Sequence, residues 1–201
     1  DMTRQLIVGI VAGSLALAGC GGAKVKRTAV EEQIDLSGNW NDTDSRLVSQ
    51  EMIADALARP WIGDFTSKAG GQKPRVIVGT VANRSHEHIN TQTFTKDLER
   101  ELTNSGRVRF VASSEERGEV RAEKVDQAQH ASAETAKAPG QEHAADYMVK
   151  GQINTIMDAE GGKQLKYYQV ELELIDVATN EKAWIGQKKI KKLVKRSKLR
   201  P

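Results

Sequence analysis

Apolar residues recur along the chain with two different periods. Leu47, Val48, Met52, Ile53, Ala56 and Leu57 form one stripe at helical spacing, which predicts a helix from 44 to about 59, capped by Asp42 or Thr43 and ended by Pro60. Phe94, Leu98 and Leu102 return every four residues and predict a second helix, closed by Asn104, Ser105 and Gly106 in a left-handed cap. Between them, residues 75–81 (RVIVGTV) are a β-branched run introduced by Gly70, Gly71 and Pro74, as a buried strand requires. Residues 108–112 give a second strand, reached after a polar loop over 82–90 and the second helix. Ser113 and Glu116 have capping-box spacing, and the Ala-, Glu- and Lys-rich stretch that follows to about 145 predicts two helices broken at Pro139 and Gly140. Strands are then expected over 147–156, 168–177 and 182–193, with turns at 159–162 and 178–181; Val170, Leu172 and Leu174 alternate there with Glu171 and Glu173.

The resulting order, α, β, α, β, α, α, β, β, β, favours parallel pairing where helices separate strands and an antiparallel meander at the end. It predicts an α+β domain: a single small mixed sheet of about five strands flanked by helices, over residues 41–193. Trp184, Tyr167 and Tyr168 fall on adjacent strands and are expected to be buried or half-buried.

The first forty residues follow neither period. Residues 2–20 carry Arg4, a weakly polar stretch over 6–18, then Gly19 and Cys20, the plan of an export signal; the stretch is shorter than the ~20 residues a membrane-spanning helix needs. Leu17, Ala18, Gly19 and Cys20 look like a bacterial lipobox, so residues 1–19 are expected to be removed and Cys20 to carry the lipid anchor. Gly21 after the cysteine implies sorting to the outer membrane, facing the periplasm. Residues 20–40 are small and charged with no sustained period and are expected to be a tether.

Charge sharpens one end of the picture. The formal net charge is +3, but the last twenty residues hold nine Lys or Arg and no acid, so the remainder is −6. Lys188, Lys189, Lys191, Lys192, Lys195 and Arg196 are candidates for contact with an anionic surface, either peptidoglycan or lipid headgroups. In an exported protein such a patch does not point to nucleic acid. Residues 194–201 are expected to be a basic tail.

Candidate chemistry is sparse. A single cysteine, assigned to the anchor, excludes a disulfide and multi-cysteine zinc sites. There is no G-x-S-x-G elbow, no Ser-x-x-Lys pair and no phosphate-binding glycine loop, so no catalytic residues and no cofactor are assigned. His86 and His88 have no third ligand adjacent in sequence, and no metal site is assigned. The polar loop is the more informative feature. Asn83, Ser85 and Asn90 can bond their own backbone and fix its shape, and loops on rigid scaffolds carry recognition, so Arg84, Ser85, His86, Glu87, His88 and Asn90 are the candidate partner-binding residues.

The segments DLSGNWNDTDSRLVSQEMIADAL, VGTVANRSHEHINTQTF, FTKDLERELTNSGRVRFVASSEER, ADYMVKGQI and YYQVELELIDVATNEKAWIGQKKIKK together resemble the LpoB-like family of outer-membrane lipoproteins, activators of penicillin-binding proteins. The resemblance covers about 35–192. It implies a fold similar to the N-terminal domain of the periplasmic protein TolB. It also implies a non-catalytic regulator that binds a bifunctional, class A penicillin-binding protein and raises its activities. The tether departs from the family's long proline-rich one, having about twenty residues and no proline. That departure keeps a second reading open, a structural lipoprotein joining the outer membrane to peptidoglycan or to an envelope or secretion assembly.

Overall fold

The computed structural model describes residues 25–137, 140 and 142–195. The signal segment, Cys20, Pro139 and Arg196 lie outside the described residues. The chain divides after Glu32 into two units. Residues 25–32 of the first hold no helix or strand, only one turn, in which the Glu32 N–H donates to the Ala29 carbonyl at 3.1 Å. The second unit holds every helix and strand described: α1 (Asp42–Ala58), α2 (Trp61–Lys68), β1 (Arg75–Arg84), α3 (Thr91–Asn104), β2 (Arg109–Phe110), α4 (Ser114–His130), β3 (Tyr147–Glu160), β4 (Lys163–Asp176) and β5 (Lys182–Lys195).

The strands form one mixed sheet in the order β2-β1-β3-β4-β5, with β1 parallel to both neighbours and the last three antiparallel, as the pattern predicts. One face is covered. Phe94, Leu98 and Leu102 of α3 and Val48 and Ile53 of α1 pack on Val76 and Val78 of β1, Val149 and Ile153 of β3, and Tyr168, Val170, Leu172 and Leu174 of β4. Burial along β4 alternates, so its even positions meet the helices while the odd ones remain half-exposed on the far face. Trp184 is also in this core.

Several boundaries differ from expectation, each for a physical reason. α1 starts two residues early, because Asn41 rather than Asp42 or Thr43 is the cap: its side chain accepts from the Asp44 N–H at 3.0 Å while Asp44 accepts from the Asn41 N–H. Pro60 ends α1 but also caps the short α2, since a proline at a helix start sacrifices no intrahelical bond; Trp61 and Ile62 then bury themselves. Between β2 and β3 there is one helix, not two. α4 stops at His130 and none of its residues is buried, so little beyond its capping box and composition sustains it. β2 is shorter than expected and β1 longer. The β3–β4 turn is tighter, with only Gly161 (φ 56) and Gly162 (φ 78) between strands that run to Glu160 and from Lys163, a conformation in which both residues must tolerate positive φ. β5 extends through Val194 and Lys195, two residues assigned to the tail.

Candidate functional site

The segment leaving β1 is shaped by its own polar side chains. Asn83 Nδ2 donates to the Glu87 carbonyl at 2.8 Å, and Asn83 Oδ1 accepts from the Ser85 N–H at 2.9 Å and its hydroxyl at 2.6 Å. The Glu87 N–H donates to Ser85 Oγ at 3.1 Å, and the His86 N–H donates to Oγ1 of Thr155, on β3, at 3.1 Å. Ile89 is buried below, and Asn90 caps α3 by accepting from the Gln92 N–H at 3.0 Å. Asn83, Ser85 and Asn90 thus hold the loop's form. Arg84, His86 and His88 are exposed.

Glu87 points the other way. Its Oε1 accepts from Lys166 Nζ and from the Tyr168 hydroxyl, both at 2.8 Å, and its Oε2 accepts from the Trp40 N–H at 3.1 Å. Burial alone would push this carboxyl up, but the bonds from Lys166, Tyr168 and Trp40 together outweigh it and hold Glu87 below the usual range. Lys166 also donates to Asn39 Oδ1. A second lysine, Lys192 of β5, donates to Asp35 Oδ1 at 2.8 Å, to Asp44 Oδ2 at 2.6 Å and to the Asn39 carbonyl at 3.2 Å. Burial works against its charge, and the two carboxylates reverse the balance, so Lys192 titrates above its usual value.

Residues 35–40, assigned to the tether, are therefore strapped to the sheet. The Trp40 ring meets Phe94 edge-on, centroids 6.0 Å apart, and Tyr168 at 5.8 Å. Gly38 sits at φ +71 against the Val194 side chain, a position that tolerates neither a Cβ nor an ordinary backbone. The strap and the loop share Glu87, so ordering one supports the other.

Glu87 and Asp44 have opposite acid responses. Glu87, lowered by folding, adds stability that is complete above the unfolded value of ~4.3 and is lost as pH falls through its folded value. Asp44 is raised, because its burial outweighs the bonds from Lys192 and the Asn41 N–H, so its protonation on acidification favours the fold. The expected result is a melting-temperature gap between the parent and Glu87→Gln that is widest at neutral pH and narrows as pH drops below ~4.3. A gap independent of pH would remove Glu87 from this role.

The strand's two-residue period sorts the candidate lysines. Lys189, Lys191 and Lys195 are exposed, whereas Lys188 pairs with Glu51 of α1 and Lys192 lies in the strap. Arg196 lies outside the described residues. Lys166, Tyr168, Asp35, Asn39 and Asp44 were not among the sequence candidates. The signal for Lys166 was present: it occupies the same phase of β4 as Tyr168, Val170 and Leu172, a lysine in a core position. Among the described residues no three His, Cys, Asp or Glu side chains converge as metal ligands, and no helix is long and apolar enough to cross a membrane.

Comparison with protein families matches residues 44–190 to the peptidoglycan-synthase activator LpoB. The chain belongs to the LpoB family. Its members are named as activators, not as enzymes. The match runs from α1 into β5 and includes the loop, Glu87, Lys166 and Tyr168, while residues 35–40 and Lys192 fall outside it. Among solved structures, the LpoB C-terminal domain from Salmonella enterica is 17% identical, covering 76% of this chain and 99% of that one with a TM-score of 0.42. The NMR structure of E. coli LpoB is 14% identical, covering 92% and 91%, also with a TM-score of 0.42. A lipoprotein from Neisseria meningitidis is 11% identical over 63% of this chain and 88% of that one, with a TM-score of 0.37. No curated protein matches.

Proposed function

We propose that this chain is a lipid-anchored regulator that binds a class A penicillin-binding protein from the periplasmic side and raises its synthesis of peptidoglycan. Membership of the activator family over residues 44–190 carries this reading. The geometry supports it with a docking element: Arg84, His86 and His88 project from a loop whose backbone is already held by Asn83, Ser85, Thr155 and Glu87. A partner that meets a fixed loop does not have to order it, and the affinity lost to ordering is saved. Activation then needs only that the chain bind the active synthase more tightly than the idle one.

Cys20 is the proposed anchor in the outer membrane. With the strap docked, only about a dozen residues separate Cys20 from the folded unit, at most ~40 Å when extended, so the partner must reach towards the outer membrane. The test is retention on the immobilised chain of a synthase labelled with fluorescent β-lactam. One labelled band is expected, with Arg84→Glu weakening it at least tenfold; no band, or a band indifferent to this loop, contradicts the proposal.

One observation favours the second reading, of an envelope tether: the outward face of β5 presents Lys189, Lys191 and Lys195 together. Cosedimentation with sacculi or anionic vesicles at low salt, lost when these three become glutamine, would support it. A pellet free of the protein would dismiss it.

A further inference from the structure

A cleft of about 340 Å³ opens at the other end of β1, lined by Arg75, Arg109 and Arg117 over Phe110 and Val120. It is remote from the loop, since a ten-residue strand spans ~30 Å. Its charges are arranged against ordinary expectation. Arg75 and Arg109 are direct neighbours across parallel strands, where like charges repel. Arg117 faces them from α4. The Nε atoms of Arg75 and Arg117 are buried and have no hydrogen-bond partner, and Arg109 makes no side-chain hydrogen bond or ion pair among the described residues. The acids nearby, Glu142 in the cleft wall and Asp146 beside Arg75, compensate only in part. Glu142 is held by Arg121 through two bonds, of 2.9 and 2.8 Å, and Asp146 reaches Arg75 only at 3.8 Å while accepting its backbone N–H at 2.7 Å.

We infer that this cleft is a binding site for a short peptide's terminal carboxylate, with the small apolar residue that bears it seated on Phe110 and Val120. Guanidinium groups match a carboxylate in two-point contact, and an anion here would offset the Arg75–Arg109 repulsion and give the unpaired Arg109 a partner. The concavity suits one or two residues of peptide rather than a flat protein surface. One wall can adapt: α4 buries none of its residues, and beyond the Lys96–Glu116 and Arg121–Glu142 pairs little holds it. The inference is independent of synthase docking, because no residue of the loop contributes.

The test is titration of the full chain with N-acetyl-alanyl-alanine, followed by the Nε–H resonances of Arg75 and Arg117. Saturable shifts are expected with the free acid and none with its C-terminal amide. Arg109→Gln, at an exposed position that leaves the core untouched, weakens the dissociation constant at least tenfold. The proposal is overturned by no saturable shift, by equal shifts with the amide or with sodium sulfate, or by equal binding of a peptide whose only carboxylate is an internal glutamate side chain, which would assign the cleft to acidic protein segments.

Discussion

Lys166→Met lowers folding stability by about 3 kcal/mol, near the low end for removing one partner of a buried ion pair. Both side chains are nearly enclosed, Lys166 8% and Glu87 12% exposed. Methionine keeps most of the volume, so the loss is electrostatic: Glu87 is left with two donors and no countercharge. The double variant Lys166→Met, Glu87→Gln should regain at least half of the loss, because the neutral amide no longer needs an ammonium beside it. Urea denaturation of the parent, both singles and the double closes the cycle. A single-variant loss under ~1 kcal/mol, the range of an exposed pair, would show that this contact does not hold the strap and loop together.

Phe94→Ala lowers stability further, by about 4 kcal/mol, within the range for emptying a buried phenylalanine site. The ring is fully buried at the first turns of α3, between the sheet and the strap, and forms the edge contact with Trp40. Removing it opens a cavity and unseats Trp40, a large loss for a domain whose whole stability is of order 5–15 kcal/mol. Thermal unfolding followed by tryptophan fluorescence measures it. A cost below ~2 kcal/mol would mean that the neighbouring side chains collapse into the space and that α3 is not held by this ring.

The same two residues show which parts of this fold can be read in the sequence. Phe94 announces itself through its spacing from Leu98 and Leu102, and the sheet through the alternation around Val170; both depend on local period, which the chain displays directly. The location of the polar loop was legible for the same reason. That Glu87 turns inward was not, because its partner Lys166 is 79 residues away. The strap was hidden more deeply. Residues 33–40 have no apolar period, and they dock through Asp35 and Asn39 on lysines more than 120 positions distant. α2 was masked by reading Pro60 only as a stop. The lysines of β5 could have been divided by their two-residue period into those facing α1 and the strap and those facing solvent; treating them as one basic patch obscured that Lys188 and Lys192 are already paired.

The measurement that bears most directly on the account is the rate at which a class A penicillin-binding protein polymerises lipid-linked precursor with and without the chain, alongside a variant carrying Arg84→Glu, His86→Ala and His88→Ala. All three side chains are exposed, and of them only His86 bonds the scaffold, through Nδ1 to Thr155 Oγ1 at 3.0 Å, so the variant should keep most of the parent's melting temperature. The account predicts that the parent raises the rate severalfold and that the variant at equal concentration does not. An unchanged rate with the folded parent present would contradict the activator reading, and equal activation by the variant would remove the loop from the interface.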